Sequence, residues 1–215
     1  MSRICCISDQ HGQLFDLPEC DLVLNAGDIC PNYRRGTDIQ QQAVWLNTVY
    51  RQWREGQPHM IAIWGNHDFV GESPIAEACP QCIPFELPND AETTFNGLRI
   101  YGTPWTRTFY NWAFMESEDQ LGLRWQAIPE GLDLLLVHGP PQGHVDRAMD
   151  GFQCGSTALL YHIERAQPRV VVCGHIHEAR GESVVGNSRI LNVSSVDERY
   201  RLRSQPYTML DLEPL

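Results

Sequence analysis

Five short apolar runs stand out along the chain, and each is only long enough for a buried strand. They are RICCIS at 3–8, DLVLNA at 21–26, MIAIW at 60–64, LDLLLV at 132–137 and RVVVC at 169–173. Polar residues whose side chains can bind metal follow each run, in the segments DQHG, GDIC, GNHD, HGPP and GHIH. The pattern predicts five strands, each ending on a loop of candidate ligands.

Helical spacing occurs between these runs. Residues 155–167 predict a helix with Ser156 as its N-cap, residues 182–196 predict a hairpin that turns at Gly186-Asn187, and residues 207–212 predict a final strand. Residues 37–55 predict a helix with one side formed by Val44, Trp45, Thr48, Val49 and Trp53. Strands that alternate with helices predict an α/β fold with its site at the carboxyl ends of the strands.

The composition is that of a folded, soluble protein. Hydrophobic residues make up 42% and charged residues 20% of the 215 residues, and no repeat or linker divides them. We therefore predict a single domain over residues 1–215. No apolar run approaches the length of a membrane helix, and the first residues lack the layout of a signal peptide, so we expect a cytoplasmic protein without membrane contact.

The charge pattern excludes several mechanisms. The formal net charge is −11, and all sixteen basic residues are arginine. A chain without lysine cannot use a Schiff-base or P-loop lysine. An acidic chain without a basic run is also poorly suited to long nucleic acid, because that affinity comes largely from neutralising phosphates. The sequence does not indicate an oligomeric state.

The eight cysteines are interpreted as small hydrophobic residues in a reducing compartment. Cys79 and Cys82 form a C-x-x-C pair, but neither a second pair nor a neighbouring histidine completes a zinc site. We therefore expect no structural metal at this pair.

The loops after the five runs contain imidazole, carboxylate and amide side chains. These groups suit transition ions such as zinc, manganese or iron better than calcium, which prefers oxygen ligands alone. Their number exceeds the roughly four protein ligands of one closed site, so the sequence predicts two metal ions. The candidate ligands are Asp9, His11, Asp28, Asn66, His138, His175 and His177.

The five segments SDQHG, AGDIC, WGNHD, VHGPP and CGHIH resemble, in order, the motifs of the calcineurin-like metallophosphoesterase superfamily. The segments GTPW at 102–105 and HGPPQGHVD at 138–146 further resemble its small branch of metallophosphoesterase-domain (brain 239-type) phosphodiesterases. The resemblance implies an αββα sandwich, in which two mixed sheets are flanked by helices. It also implies hydrolysis of phosphoesters with two divalent ions.

The resemblance assigns a role to each motif position. It implies that one ion is bound by Asp9, His11 and His177, and the other by Asn66, His138 and His175. Asp28 would bridge the two ions. His67 would point at the substrate phosphate as a catalytic residue. Two roles stay open for the adjacent Asp68, which either orients His67 or only stabilises the turn.

Two divalent ions can together activate a bridging hydroxide that attacks phosphorus directly, and they hold the substrate phosphate even in an acidic protein. His67 would then protonate the leaving oxygen or stabilise the developing charge. The resemblance to the brain-type branch implies small phosphodiesters as substrates, with cyclic nucleotides among the candidates. Two alternatives stay open. A phosphomonoesterase or protein phosphatase would share the same metal core, and a non-catalytic metal-binding scaffold is the other hypothesis.

The segment 102–114 places aromatic residues around an arginine before the fourth run. Trp105 and Arg107 are candidate substrate contacts, because an aromatic ring above a phosphate site can stack on a base. The alternative is that the aromatic residues of this segment pack in the core, as large aromatic residues usually do.

Overall fold

All five apolar runs form strands in the computed structural model, which describes residues 1–32, 38–74, 85–86 and 88–214. In chain order the strands are β1 (Ser2–Ile7), β2 (Leu22–Asn25), β3 (His59–Ala62), β4 (Ala91–Phe95), β5 (Leu98–Thr103), β6 (Thr106–Arg107), β7 (Met115–Glu116), β8 (Leu134–Val137), β9 (Val170–Cys173), β10 (Gly181–Val185), β11 (Ser188–Asn192) and β12 (Thr208–Leu212). The pair β4 and β5 was not predicted, although the turn at Asn96-Gly97 between them is a common hairpin sequence.

The strands form two mixed sheets. The first has the order β12-β1-β2-β3, in which β1, β2 and β3 are parallel and β12 is antiparallel to β1. The second has the order β10-β11-β9-β8-β5-β4, in which β11, β9, β8 and β5 are parallel and the two edge strands are antiparallel to their neighbours. The predicted hairpin is confirmed as β10 and β11, with Gly186 at a φ of 57° in its turn.

Helices cover the outer faces of both sheets. They are α1 (Asp38–Trp45), a π-helical turn (Leu46–Tyr50), α2 (Arg51–Arg54), α3 (Glu118–Trp125) and α4 (Thr157–Ala166), with short 3-10 turns at Phe69–Glu72 and His177–Ala179. The predicted cap of α4 is confirmed, because the Ser156 hydroxyl accepts the Leu159 N–H at 3.1 Å. Helix α3 was not predicted from the pattern.

The predicted side of the first helical segment is confirmed for Trp45 and Trp53, which pack in the buried cluster beside the first sheet, and is wrong for Val44, Thr48 and Val49. Val44 and Val49 are 63% and 47% exposed, whereas Trp45, Leu46 and Tyr50 are buried against the first sheet. The π-helical turn accounts for the change at Val49, because a turn closed over five residues rotates the residues within and after it relative to a regular α-helix; Val44 precedes this turn.

Three apolar layers hold these elements together. Alternate residues of the strands, such as Leu24 in β2 and Leu136 in β8, meet between the two sheets. The residues between them face outward, where Val23 packs with the residues of α1 and Leu135 packs with those of α3 and α4. Both faces of the strands are therefore buried, which is why the runs are apolar without a break. The αββα arrangement implied by the motifs is confirmed.

Two smaller expectations concern membranes and cysteines. None of the described helices is long and apolar enough to cross a membrane. The cysteines within the described residues are free thiols, and most of them are buried in the apolar layers. Cys79 and Cys82 lie outside the described residues.

Candidate metal centre

The carboxyl ends of β1 and β11 lie side by side, and the residues that follow them connect the two sheets. Ser8 and Ser194, which follow these strands, form a parallel bridge, and the Ser195 N–H donates to the Ser8 carbonyl at 2.8 Å. The loops after β1 and β2 are also connected, because the Asp9 N–H donates to the Gly27 carbonyl at 2.9 Å. Loops from both sheets therefore present their side chains to one common region.

The first group of predicted ligands in this region is Asp9, His11 and His177. One ligand atom from each lies within 4.8 Å of the others, and all three residues are buried. The Nε2 atoms of His11 and His177 are 3.2 Å apart, and His177 Nε2 is 3.5 Å from Asp9 Oδ1. These three side chains could hold one metal ion, as the motif assignment implies.

The second group lies beside the first and shares Asp9 with it. Ligand atoms of Asp9, Asp28 and His138 also lie within 4.8 Å of one another. The Asn66 Oδ1 atom is 2.8 Å from His138 Nε2, and the His175 ring centroid is 5.0 Å from that of His138. The Nδ1 atom of His138 is 2.8 Å from the Ala26 carbonyl, so its N–H points there and Nε2 is left to face the site.

Asp28 belongs to the second group and also approaches His11 of the first group. Its Oδ2 atom is 3.7 Å from His11 Nε2 and 3.4 Å from His138 Nε2, and its side chain is 2% exposed. The other oxygen accepts the His67 N–H at 2.7 Å, which fixes the orientation of the carboxylate. This position is compatible with a carboxylate that bridges two ions, and the bridging role stays a prediction.

The electrostatics of the region fit divalent cations. Burial lowers the pKa of His11 to about 4 and that of His175 to about 3, so both rings are uncharged near neutral pH. Burial alone would raise the pKa of Asp9 and Asp28, but contacts with His177 and His138 hold both below the usual range. The region therefore presents ionised carboxylates and, at His11 and His175, free imidazole lone pairs, and such donors occur in zinc, manganese and iron sites.

Two further pKa values show how strongly the carboxylates act. Burial lowers the pKa of His138, but the charge of Asp28 and its hydrogen bond outweigh burial and raise it to about 9. Burial likewise opposes protonation of His177, and its hydrogen bond with Asp9 raises its pKa in net terms. The two buried carboxylates thus attract positive charge, which divalent ions supply without a bound proton.

The backbone at the predicted ligands is unusual. Asp9, His11, Asp28 and His175 have φ values of 53°, 45°, 54° and 67°, in the left-handed region that residues other than glycine seldom adopt. Such conformations persist where the surrounding structure enforces them, and they cluster at functional sites. Their concentration in four of the seven predicted ligands supports a functional site here.

Two glycines permit the close approach of the loops. A Cβ atom on Gly174 would collide with the Ser8 hydroxyl and with Asp9 Oδ2. A Cβ atom on Gly65 would collide with Asp28 Oδ1 and lie 2.7 Å from His138 Cε1. In the segments GNHD and GHIH, the first glycine therefore leaves room for a carboxylate from another loop.

A cavity of about 640 Å³ opens above the two groups. Asp28, Asn66, His67, His175 and His177 form its floor. The walls come from loops after the strands, and they are formed by Arg107, Thr108, Phe109, Tyr110, Trp112, Ala148, Met149, Asp150, Phe152, Gln153, Cys154, Ile176, Glu178, Glu198 and Tyr200. Four of the seven predicted ligands, Asp28, Asn66, His175 and His177, are thus accessible to a small molecule from one side.

A family model described as calcineurin-like phosphoesterase matches residues 2–179. The chain belongs to this family. The human protein named metallophosphoesterase domain-containing protein 1 is 30% identical over 236 residues, which cover 95% of this chain and 69% of the human protein. A UPF0046 protein of Caenorhabditis elegans is 30% identical over 234 residues, covering 95% of this chain and 58% of that protein. The family predicted from the motifs is confirmed, and it supports a metal-dependent phosphoesterase.

Solved structures of low sequence identity share the fold. One superposes with a TM-score of 0.71 at 18% identity, covering 90% of this chain and 91% of that chain. The TT1561 protein of Thermus thermophilus superposes with a TM-score of 0.59 at 14% identity, covering 90% and 89% of the two chains. These similarities show that the solved structures have the same fold as this chain.

His67, the catalytic residue implied by the family pattern, lies on the cavity floor. Its ring centroid is 4.8 Å from that of His11 and 4.2 Å from that of Trp112. Its carbonyl accepts the Gln42 side-chain N–H at 2.7 Å, which fixes the backbone. The ring is therefore held beside the predicted ligands with part of its surface exposed, and its contact with substrate stays a prediction.

The orienting role predicted for Asp68 is wrong. Its carboxylate accepts backbone N–H groups from Ile29 at 3.1 Å, from Cys30 at 2.8 Å and from Gly65 at 2.8 Å. Burial and the charge of Asp28 raise its pKa to about 7. Asp68 thus ties the loop after β2 to the loop after β3, and acts on the backbone rather than on the His67 ring.

The two candidate substrate contacts differ in their surroundings. Trp105 packs on Phe114, donates its indole N–H to Asp90 at 2.9 Å and lies 3.8 Å below the Arg124 guanidinium. It does not line the cavity, so the prediction of substrate contact is wrong for Trp105 and the packing alternative holds for it. Arg107 is exposed on the cavity wall, and its contact with substrate stays a prediction.

Sequence reasoning missed Asn192, the last residue of β11, and Ser194, which follows this strand. The Ser194 hydroxyl donates to Asp9 Oδ2 at 2.7 Å, and the Asn192 amide donates to the Ile176 carbonyl at 2.8 Å, between His175 and His177. The segment NVSS at 192–195 follows an apolar strand in the same way as the five motifs do, and that position was the available signal.

Tyr200 was also missed. Its ring centroid lies 4.8 Å from that of His11 and 5.0 Å from that of His177, so it covers one side of the first group. Its φ of 58° places the ring there, and nothing in the local sequence indicates that conformation.

Proposed function

We propose that this family member is a dinuclear metal-dependent phosphodiesterase that acts on small phosphodiesters. One ion would be held by Asp9, His11 and His177, and the other by Asn66, His138 and His175, with Asp28 bridging them. The observation that carries the proposal is the position of Asp28, whose Oδ2 atom is within 3.7 Å of imidazole nitrogens from both groups.

The bound ions would supply two kinds of chemistry, activation of water as a nucleophile and neutralisation of the phosphate charge. Manganese, iron and zinc all suit the mixture of imidazole, carboxylate and amide donors. Buried Asp9 and Asp28 hold the opposing negative charge, and the hydrogen bonds from Ser194 and from the His67 N–H fix the orientation of each carboxylate.

His67 would act on the substrate from the cavity floor. A ring nitrogen carries a proton in either charge state of this side chain, so it can donate a hydrogen bond to a phosphoryl oxygen as negative charge develops. Its backbone is fixed by Gln42 and Asp28, which keeps the donor in position before substrate binds.

The charge of the cavity wall favours diesters over monoesters. Asp150, Glu178 and Glu198 line the wall, and Arg107 is the arginine among its lining residues. A phosphodiester carries one negative charge, whereas a monoester carries nearly two at neutral pH, so the three carboxylates penalise the monoester more. The same charge, together with the net charge of −11, argues against long nucleic acid and supports a small substrate. We also propose a cytoplasmic location, on the composition alone.

Metal analysis and paired substrates test the proposal. Protein freed of metal and then loaded with manganese, iron or zinc should bind two ions per chain and should hydrolyse bis-p-nitrophenyl phosphate faster than p-nitrophenyl phosphate. Faster hydrolysis of the monoester by the same sample would favour a phosphomonoesterase. Two bound ions without turnover of either ester would favour a metal-binding scaffold.

A further inference from the structure

Exposed aromatic residues are concentrated at the mouth of the cavity. Phe109, Tyr110, Phe152 and Tyr200 all line it, and they are 63%, 77%, 71% and 43% exposed. Among the described residues, the other large aromatic side chain with comparable exposure is Tyr161, on α4. Exposed aromatic surface that gathers around a cavity marks a binding site, because scattered apolar residues would not share one opening. We call these four residues the aromatic rim.

Both sides of the aromatic rim are attached to the predicted metal centre. On one side, the Ala113 N–H donates to the carbonyl of Asn66 at 3.1 Å, and the Phe109 and Tyr110 ring centroids are 4.3 Å apart. On the other side, the Met149 N–H donates to the side chain of Glu178 at 2.8 Å, next to His177. The loops that carry Phe109, Tyr110 and Phe152 are therefore anchored beside the site where the phosphate would bind.

The charges near the aromatic rim restrict what can bind to it. Asp150, Glu178 and Glu198 line the same wall as Arg107, and all four are exposed there, so three negative charges stand against one positive charge. A group with a second phosphate or a carboxylate would meet these three charges outside the neutralising field of the metal ions. A neutral aromatic group meets no such penalty and gains ring contacts.

We propose that the aromatic rim binds the non-leaving ester group of a phosphodiester, and that this group is aromatic and carries no negative charge of its own. The proposal rests on the proposed function and specifies its substrate class. It assigns specificity to Phe109 and Tyr110, which touch the substrate but take no part in metal binding.

A series of diesters with one leaving group tests the proposal. Phenyl, ethyl and carboxyethyl esters of p-nitrophenyl phosphate all release p-nitrophenolate, so their differences report the group that stays on phosphorus. For the metal-loaded protein we expect kcat/KM to be roughly tenfold higher for the phenyl ester than for the ethyl ester, in line with the usual strength of aromatic stacking. We expect the carboxyethyl ester to be the slowest.

Variants locate the effect. The double variant Phe109→Ala, Tyr110→Ala should raise KM for the phenyl ester by roughly tenfold and KM for the ethyl ester by much less, with metal content unaltered. Glu198→Gln should narrow the gap between the carboxyethyl and ethyl esters. Tyr161→Ala is the matched control, because it removes an aromatic ring of 63% exposure outside the cavity and should change none of these values.

Two results would overturn the proposal. One is equal kcat/KM for the phenyl and ethyl esters, and the other is an equal loss for both esters in the double variant. Calorimetry with diphenyl phosphate and diethyl phosphate distinguishes failure of the aromatic site from failure of the proposed phosphodiesterase function. Tighter binding of diphenyl phosphate that depends on Phe109 and Tyr110, without turnover of any diester, would refute the phosphodiesterase but retain the aromatic site.

Discussion

The predicted metal centre and the aromatic rim line the same cavity, but the chain builds them differently. The centre consists of buried side chains such as Asp9 and His138, placed directly after strands and held by hydrogen bonds between loops. The rim consists of exposed side chains such as Tyr110 and Phe152, on longer connections between elements. The comparison indicates that the sheets determine the chemistry, whereas the loops determine the choice of substrate.

The largest effect is expected from Asp28→Ala, which removes the carboxylate between the two groups. Because its Oδ2 atom is near imidazoles of both groups, we expect loss of both ions and a fall in turnover of bis-p-nitrophenyl phosphate to the background. Metal analysis by mass spectrometry and the turnover assay check this. Asp119→Ala, which removes an exposed carboxylate, controls for the change in net charge. Retention of two ions would refute the bridging role.

His67→Ala should separate catalysis from metal binding. We expect kcat to fall by roughly 10²–10⁴-fold with two ions still bound, because the ring donates to the substrate and the family pattern does not make it a ligand.

Asp68→Asn tests the carboxylate next to His67 in the sequence. It replaces an acceptor of three backbone N–H groups, so it should lower the free energy of unfolding by about 1–3 kcal/mol with a smaller change in kcat.

Titration with denaturant and steady-state kinetics distinguish these two variants. If His67→Ala lost metal in proportion to its activity, His67 would be a ligand and the assignment would be wrong. If Asp68→Asn lost as much kcat as His67→Ala at unchanged stability, the carboxylate would act on His67 after all.

Features that follow directly after strands could be predicted from the sequence better than features of the longer connections and the first helical segment. The strands and their ligand loops were predictable, because a strand buried on both faces leaves an unbroken apolar run and a parallel sheet gathers its carboxyl ends at one edge. The buried side of the first helical segment was predictable only in part, at Trp45 and Trp53, since the π-helical turn at Leu46–Tyr50 changes the periodicity on which such predictions depend.

Within the site, the errors have a common physical cause. Trp105 and Asp68 were assigned from nearness in sequence, but their partners, Asp90 and Ile29, lie in other loops. Tyr200 and Ser194 were missed because each contacts its partner across a long stretch of chain. A single sequence contains no measure of such contacts, so residues that support a site from a distance stay hidden until the fold brings them together.

Gly174→Ala tests how closely the loops of the centre must approach. The added Cβ would collide with the Ser8 hydroxyl and Asp9 Oδ2, so we expect a loss of about 1–3 kcal/mol in the free energy of unfolding and weaker binding of the first ion. Gly181→Ala is the matched control, because the nearest atom to its Cβ would be the Ala179 carbonyl oxygen at 3.8 Å. Urea unfolding and metal titration measure both variants, and equal stability of the two would contradict the crowding argument.

The smallest effect is expected from Ser194→Ala, and it bears most directly on how the centre is supported. The variant removes a hydrogen bond of 2.7 Å to Asp9 Oδ2 but leaves every predicted ligand in place. We expect roughly 10- to 100-fold weaker binding of the first ion, measured by competition with a chelator, since partners of this kind orient metal ligands. Ser188→Ala is the matched control, because Ser188 is buried and its hydroxyl has no hydrogen bond within the described residues. If both variants bound metal as the wild type does, the His175 N–H, which donates to both Asp9 carboxylate oxygens at 3.0 and 3.1 Å, would suffice to orient this ligand, and the centre would not need the Ser194 hydroxyl.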